Sequence, residues 1–276
     1  MKDYHNLLFP YAYNILGSSD DAKDAVQEVL SNFIASPREG IANEKGYLIK
    51  SVINHSINVK NRQKKLRHGE VWLPEPLATE EADTDLNLRD IVSYSLLVLL
   101  EQLNPKERAV FILKEGFGYS HEEIAEVLSS NVENSRKLLS RAREKLDQSH
   151  KPAEETLSLE FLENYVQAIR DRDTRALESL LSNDIAFYAD GGDTVKVIKK
   201  ICTGLHEVVE LLMVIHQRFQ QYYRVVPASI NHQLALLYYD GDVIKSCQVL
   251  ELSPDGKIQR INTVLDPEKL KALAKH

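Results

Sequence analysis

The sequence predicts a multidomain protein: two all-α helical domains followed by one α+β domain. Three observations carry this. Apolar residues recur at helical 3/4 spacing through residues 1–67 and 93–147. After Lys151-Pro152 the pattern changes to two helical stretches and then short alternating runs bounded by turn residues. Finally, 276 residues suffice for two or three modest domains, each with its own core.

The first helical domain spans 1–67. Ala22, Ala25, Val26, Val29, Leu30 and Phe33 form one apolar face, opposite Asp21, Asp24 and Glu28. Ser18, Ser19 and Asp20 supply N-caps for it. Ser36, Pro37 and Gly40 mark a loop, and a second helix is predicted from Tyr47 to about Leu66, apolar at its start and basic at its end. Residues 68–92 read as a linker containing Gly69, Pro74, Pro76 and an acidic stretch from Glu75 to Asp90. Within it, Trp72-Leu73-Pro74-Glu75-Pro76-Leu77 is apolar for a linker and reads either as a linker tucked against a neighbouring domain or as a docking motif.

The second helical domain spans 93–150. Asn104-Pro105-Lys106-Glu107 places Asn at the N-cap, Pro at N1 and Glu at N3, a helix start. That helix runs through Val110, Phe111 and Leu113 until Gly116 and Gly118 break it. Ser120 opens another, with Glu122 and Glu123 in its first turn and Ile124, Ala125, Val127 and Leu128 on its apolar face. Ser129-Ser130-Asn131 forms a turn, and a helix follows from Val132 to about Asp147.

In the third domain, 151–276, two amphipathic helices are predicted over Leu157–Leu181. Strands are predicted at 185–189, 222–230, 232–239, 243–252 and 257–264, joined into a curved antiparallel sheet, with hairpin turns at Gly241-Asp242 and Asp255-Gly256.

The net charge of −7 disfavours a DNA-binding role only if its distribution is ignored. Lys60, Arg62, Lys64, Lys65 and Arg67 form one basic run, and Arg136, Lys137, Arg141, Arg143 and Lys145 another. The acidic stretch between them implies two separate phosphate contacts. The longest apolar run, Leu96–Leu100, is too short for a bilayer, and the N-terminus lacks a signal-peptide pattern, so a cytoplasmic protein is expected. Cys202 and Cys247 suggest neither a disulfide framework nor a metal site and are expected as small buried apolar residues. No cofactor is implied.

The 120–147 segment reads as a helix-turn-helix, whose second helix enters the major groove. Glu133, Asn134, Arg136, Lys137 and Ser140 are its candidate base-facing positions, while Arg141, Arg143 and Lys145 suit phosphate contacts. The five basic residues over 60–67 cannot share one helical face and suit backbone tracking.

Two stretches carry a family resemblance. LFPYAYNILGSSDDAKDAVQEVLSNFI (8–34) resembles region 2 of sigma-70 superfamily factors of the extracytoplasmic-function class. LLEQLNPKERAVFILKEGFGYSHEEIAEVL followed by SRKLLSRAREKL (99–146) resembles their region 4. The resemblance covers roughly residues 5–147. It implies that Asp20, Asp21, Asp24, Gln27 and Glu28 grip the β′ clamp helices of core RNA polymerase, with the β flap a further contact. Asn54, Asn58, Lys60, Arg62, Lys64, Lys65 and Arg67 would capture the −10 element, and Glu133, Asn134, Arg136, Lys137, Ser140, Arg141 and Arg143 would read the −35 element. Where the family usually has Gly-Ile in the turn, Ser129-Ser130 stands here, which predicts a left-handed non-glycine residue.

The third domain resembles the SnoaL-like, nuclear-transport-factor-like cone fused to a subgroup of these factors. WLPEPL (72–77), Asp190-Gly191-Gly192 and Asp266-Pro267-Glu268-Lys269-Leu270 carry that likeness. The resemblance implies a built-in regulatory domain whose contacts involve Trp72, Leu73, Pro74, Asp190, Gly191, Gly192, Asp266, Pro267, Lys269 and Leu270. A tethered domain meets its target at high effective concentration, so weak contacts suffice. The cone pocket could also hold a small ligand. Two other functions remain open from sequence. One is a helix-turn-helix regulator that binds duplex DNA without polymerase, against which the acidic helix at 20–28 argues. The other is a cone-fold enzyme using Asp190, His206, His216, His232 or Tyr238, although no spacing singles out an acid/base pair.

Overall fold

The computed structural model describes residues 2–35, 41–66, 71–79, 88–147, 158–198 and 200–273. Arg67 and most of the acidic stretch lie outside them. The chain divides into two compact units: one holds 1–70, 81–92 and 96–150, the other 71–80, 93–95 and 151–276.

The first unit is all helical. Helix α1 (Lys2–Leu16) packs on α2 (Ser19–Ala35) and α3 (Glu44–Leu66). Helix α2 starts because the Asp21 amide donates to Ser18 Oγ at 3.2 Å. Its predicted apolar face is buried at Ala22, Ala25, Val26, Val29 and Phe33. Helix α3 begins three residues earlier than predicted. Asn43 caps it, accepting the Gly46 amide at 3.0 Å on its side chain and the Tyr47 amide on its carbonyl.

Helix α4 (Tyr94–Leu100) leads to α5 (Pro105–Phe111), whose start is a complete capping box: the Asn104 side chain accepts the Glu107 amide, and the Glu107 carboxylate accepts the Asn104 amide. Helix α5 ends earlier than the sequence pattern suggests, because the backbone widens into a π turn over Ile112–Gly116. Helices α6 (His121–Val127) and α7 (Val132–Asp147) follow.

The second unit is an α+β domain. Helices α8 (Leu159–Arg170), α9 (Thr174–Leu180) and α10 (Leu205–Ile215) pack on a six-stranded sheet. The strands are β1 (Leu181–Asp190), β2 (Ile201–Thr203), β3 (Arg224–Ile230), β4 (Gln233–Asp240), β5 (Val243–Leu252) and β6 (Ile258–Val264), in the order β2-β1-β6-β5-β4-β3. A short α11 (Pro267–Leu270) ends the fold.

The sheet is mixed rather than antiparallel throughout, because β1 pairs with β6 in parallel. Parallel pairing needs a long crossover, and β2, α10 and three strands intervene between the two partners. The sequence reading assigned nothing to β2 or α10. Helix α10 was legible from Val208, Val209, Leu211 and Leu212, which are all buried.

A polar chain runs through the buried interior of the second unit. Tyr165 and Tyr238 both donate to Gln248 Oε1 at 3.2 Å, and Gln248 Nε2 donates to Thr263 Oγ1. Burial raises both phenols well above their ordinary value. Cys202 and Cys247 are free and buried, and burial pushes the Cys247 thiol up.

Candidate functional site

The helix-turn-helix is built from local chemistry. Ser120 accepts the Glu123 amide and Glu123 accepts the Ser120 amide, closing a second capping box. Those hydrogen bonds hold the Glu123 carboxyl below its ordinary value. The turn places Ser129 at φ 49°, the left-handed conformation expected there without glycine. Asn131 then caps α7, its side chain accepting the Asn134 amide at 2.7 Å. His121 Nδ1 lies 2.9 Å from Ser135 Oγ and ties α6 to α7.

On α7, Ser135, Leu138, Leu139 and Ala142 turn inward. Glu133, Asn134, Arg136, Lys137, Ser140, Arg141 and Arg143 are all exposed. Lys137 pairs with Glu133 at 2.6 Å, and Arg143 with Glu115 at 2.6 Å. Both pairs are exposed and so exchange readily for phosphate. Lys145 is different: it holds the nearly buried Glu107 carboxylate at 2.6 Å and anchors α7 to the cap of α5. Burial alone would raise Glu107, but Lys145 and the Asn104 amide bring it below its ordinary value.

On α2, Asp20, Asp24, Gln27 and Glu28 are exposed, and Asp21 is half-buried beneath Gln63 Nε2 at 2.8 Å. Asp20 lies 3.7 Å from Lys23, and Glu28 lies 3.5 Å from His55.

The basic end of α3 is less uniform than the sequence suggests. Asn58, Arg62, Lys64 and Lys65 are exposed. Lys60 is not: only 5% of it is accessible, and its Nζ donates to Leu16 O at 2.7 Å and to Glu101 Oε1 at 2.8 Å. Its expected DNA contact is therefore not available in this conformation, because its charge is spent inside the protein. Asn54 Nδ2 donates at 2.8 Å to both Lys50 O and Val127 O. Lys64 Nζ donates to Leu103 O at 3.0 Å.

In the second unit the three separated motifs converge. Asp190 Oδ2 accepts the Leu73 amide at 2.7 Å and Lys269 Nζ at 2.6 Å. The same Nζ donates to Leu73 O at 2.6 Å and lies 4.5 Å from the Trp72 ring centroid. Asp190 Oδ1 accepts the Gly192 amide, and its carbonyl accepts the amides of Leu265 and Asp266.

The glycines are needed where they stand. A Cβ on Gly191 would lie 2.1 Å from Val195 O, and one on Gly192, at φ 58°, would lie 2.4 Å from Asp266 Oδ2. Asp266 also caps α11, Pro267 is its exposed first residue, and Leu270 is buried. Pro74 is buried, and its carbonyl accepts Tyr94 Oη at 2.8 Å.

Sequence reasoning missed the second half of this clamp. The Leu77 amide donates to Asn231 Oδ1 at 3.0 Å, and Leu77 O accepts the Asn231 amide. The Thr79 amide donates to Ser229 O, and Ala78 bridges antiparallel to Ile230. Residues 77–79 thus add a short strand to the β3 edge. Asn231 and His232, both at positive φ, form the β3–β4 turn; this dipeptide between alternating runs was the available signal.

The enzyme candidates do not gather. Asp190 is engaged by Lys269 and Leu73, Tyr238 by Gln248, and His206 and His232 are exposed. Burial, with Arg170 and Arg172 nearby, lowers His216. A cavity of about 450 Å³ opens beside α8 and is lined by Leu162, Asn164, Val166, Gln167, Arg170, Val225 and Leu236. Among the described residues, no group of His, Cys, Asp and Glu could hold a metal ion, and no helix is long and apolar enough to cross a membrane.

A capped helix-turn-helix, a three-helix domain ending in a basic helix, and a fused α+β cone define a modular transcription protein. Residues 93–146 match the family model for sigma-70 region 4. The chain is 28% identical to the probable ECF RNA polymerase sigma factor SigI of Mycobacterium tuberculosis, over 96% of this chain and 92% of that protein. It is 29% identical to the ECF sigma factor SigJ of the same organism, over 77% and 70%. The crystal structure of M. tuberculosis SigJ superposes with a TM-score of 0.77 at 25% identity, covering 98% of this chain and 97% of that one. Over nearly its whole length the chain is thus similar to extracytoplasmic-function sigma factors, and residues 93–146 carry their region 4.

Proposed function

We propose that this protein is a cytoplasmic promoter-specificity subunit that brings core RNA polymerase to a set of promoters and is regulated by its own cone domain. The observation that carries the reading is the α7 surface: every candidate −35 residue is exposed while the opposite face packs into the helical unit. Arg136 and Lys137 then meet base edges, and Arg141 and Arg143 meet phosphates. The exposed acidic positions on α2 suit the β′ clamp helices, the β flap receives region 4, and Asn58, Arg62, Lys64 and Lys65 suit the −10 strand. The clamp on Trp72–Thr79 supports the regulatory role, because it fixes the segment that joins the two promoter-binding regions. The cavity beside α8 is where a small regulatory ligand would bind.

Run-off transcription with core polymerase tests this. Added protein is expected to start transcripts at specific promoters, and R136A and K137A each to weaken −35 use by about 1–3 kcal/mol. An operator footprint without polymerase, together with no transcript in its presence, would favour a stand-alone DNA-binding regulator instead.

A further inference from the structure

The −10 face of α3 carries a feature that promoter binding does not use. Three of its candidate DNA-contacting residues donate hydrogen bonds into the segment 101–127. Asn54 reaches Val127 O, Lys60 reaches Glu101, and Lys64 reaches Leu103 O. In the opposite direction, Arg108 of α5 is fully buried and donates from Nε to Asn14 O at 2.8 Å. Arg108 Nη1 also pairs with Glu101, so one carboxylate holds two cations, one from region 2 and one from region 4. Both cations are nearly inaccessible, whereas the Glu101 side chain keeps 23% of its surface exposed. A second arm lies beside it: Tyr11 stacks on Phe117 with centroids 4.0 Å apart, and its hydroxyl lies 3.2 Å from Tyr119 Oη.

We infer that Glu101 is the bolt of an autoinhibitory latch that closes region 4 over the −10 face of region 2, and that promoter capture requires it to open. This rests on the sigma-factor reading above. Two buried cations share one anion, and among the described residues Arg108 Nη2 has no hydrogen-bond partner. Glu101 therefore supplies the negative charge on which both buried cations of the closed state rely. Without it, Lys60 and Arg108 would be left buried and uncompensated, a strongly unfavourable arrangement. Opening returns Lys60 to solvent, where it can meet a phosphate.

The test uses the full chain with dyes on N61C and E126C, both exposed positions. The native cysteines are buried and do not label. E101Q is expected to lose energy transfer and to bind a single-stranded −10 oligonucleotide at least about tenfold tighter than the parent. F117A, which cuts the aromatic arm at a half-exposed loop residue without altering any charge, is expected to act in the same direction and guards against a folding defect in E101Q. Unchanged transfer and unchanged oligonucleotide affinity in both variants would overturn the latch. An opened variant that binds the oligonucleotide but starts no transcript with core polymerase would support the latch and count against the sigma-factor reading.

Discussion

Replacing Lys269 with Met keeps the aliphatic stem and removes the charge from the clamp. Three interactions end together. The charged hydrogen bond to Leu73 O is worth about 1.5–3 kcal/mol. The contact with the Trp72 ring adds about 1 kcal/mol. The Asp190 carboxylate, 5% exposed on its side chain, is left without its cation, which by itself costs about 3–5 kcal/mol. These terms overlap, so about 3–4 kcal/mol is expected for the clamp as a whole. At about 1.4 kcal/mol per factor of ten, the Leu73 amide should exchange hydrogen at least about a hundredfold faster. Thr79 should change far less, because its bonds to Ser229 lie at the other end of the strip. Hydrogen exchange resolved to residues 72–79 measures both. The double variant K269M/D190N should recover about 2 kcal/mol of the loss, because the buried charge is then gone. Leu73 exchange at the parental rate in K269M would refute the electrostatic account and leave apolar packing of Trp72 and Pro74 as the holding force.

Three further outcomes follow from other contacts. G192A should destabilise the second unit by more than about 1 kcal/mol, since it adds a clash with Asp266 to a left-handed backbone, and thermal unfolding reads it. N104A removes the side-chain half of a capping box and should cost the helical unit about 1 kcal/mol by urea unfolding, with α7 otherwise unchanged. The third concerns pH. Burial alone would raise Glu101, but Arg108 and Lys60 hold it below its ordinary value of 4.5. Its folded value is depressed, so its contribution is complete above pH 4.5 and is lost as pH falls through the lower folded value. Energy transfer across the latch should therefore hold from neutral pH down to that point and then fall; E101Q should show no such step. A loss near pH 6 would point to a histidine instead.

The sequence alone determined what neighbours in the chain can decide. Asn104 and Ser120 cap helices through residues two or three positions away, so α5 and α6 were legible from the letters. The apolar face of α2, the helix-turn-helix and the hairpin strands were equally local. So was the exposed stripe of α7, because helical spacing fixes which residues share a face. The family likeness added the pairing of WLPEPL with Asp190-Gly191-Gly192 and the C-terminal motif, which spacing could not supply.

Tertiary structure decided the rest. Lys60 meets a carboxylate 41 residues away and turns from a presumed DNA contact into part of a buried ion cluster. Thr79 joins a strand 150 residues further on, and β1 finds β6 in parallel across most of the second unit. Charge runs and alternation report what a residue can bond to. Which partner it reaches depends on how distant segments pack, because burial sets both the distance and the desolvation that make one ion pair prevail over another.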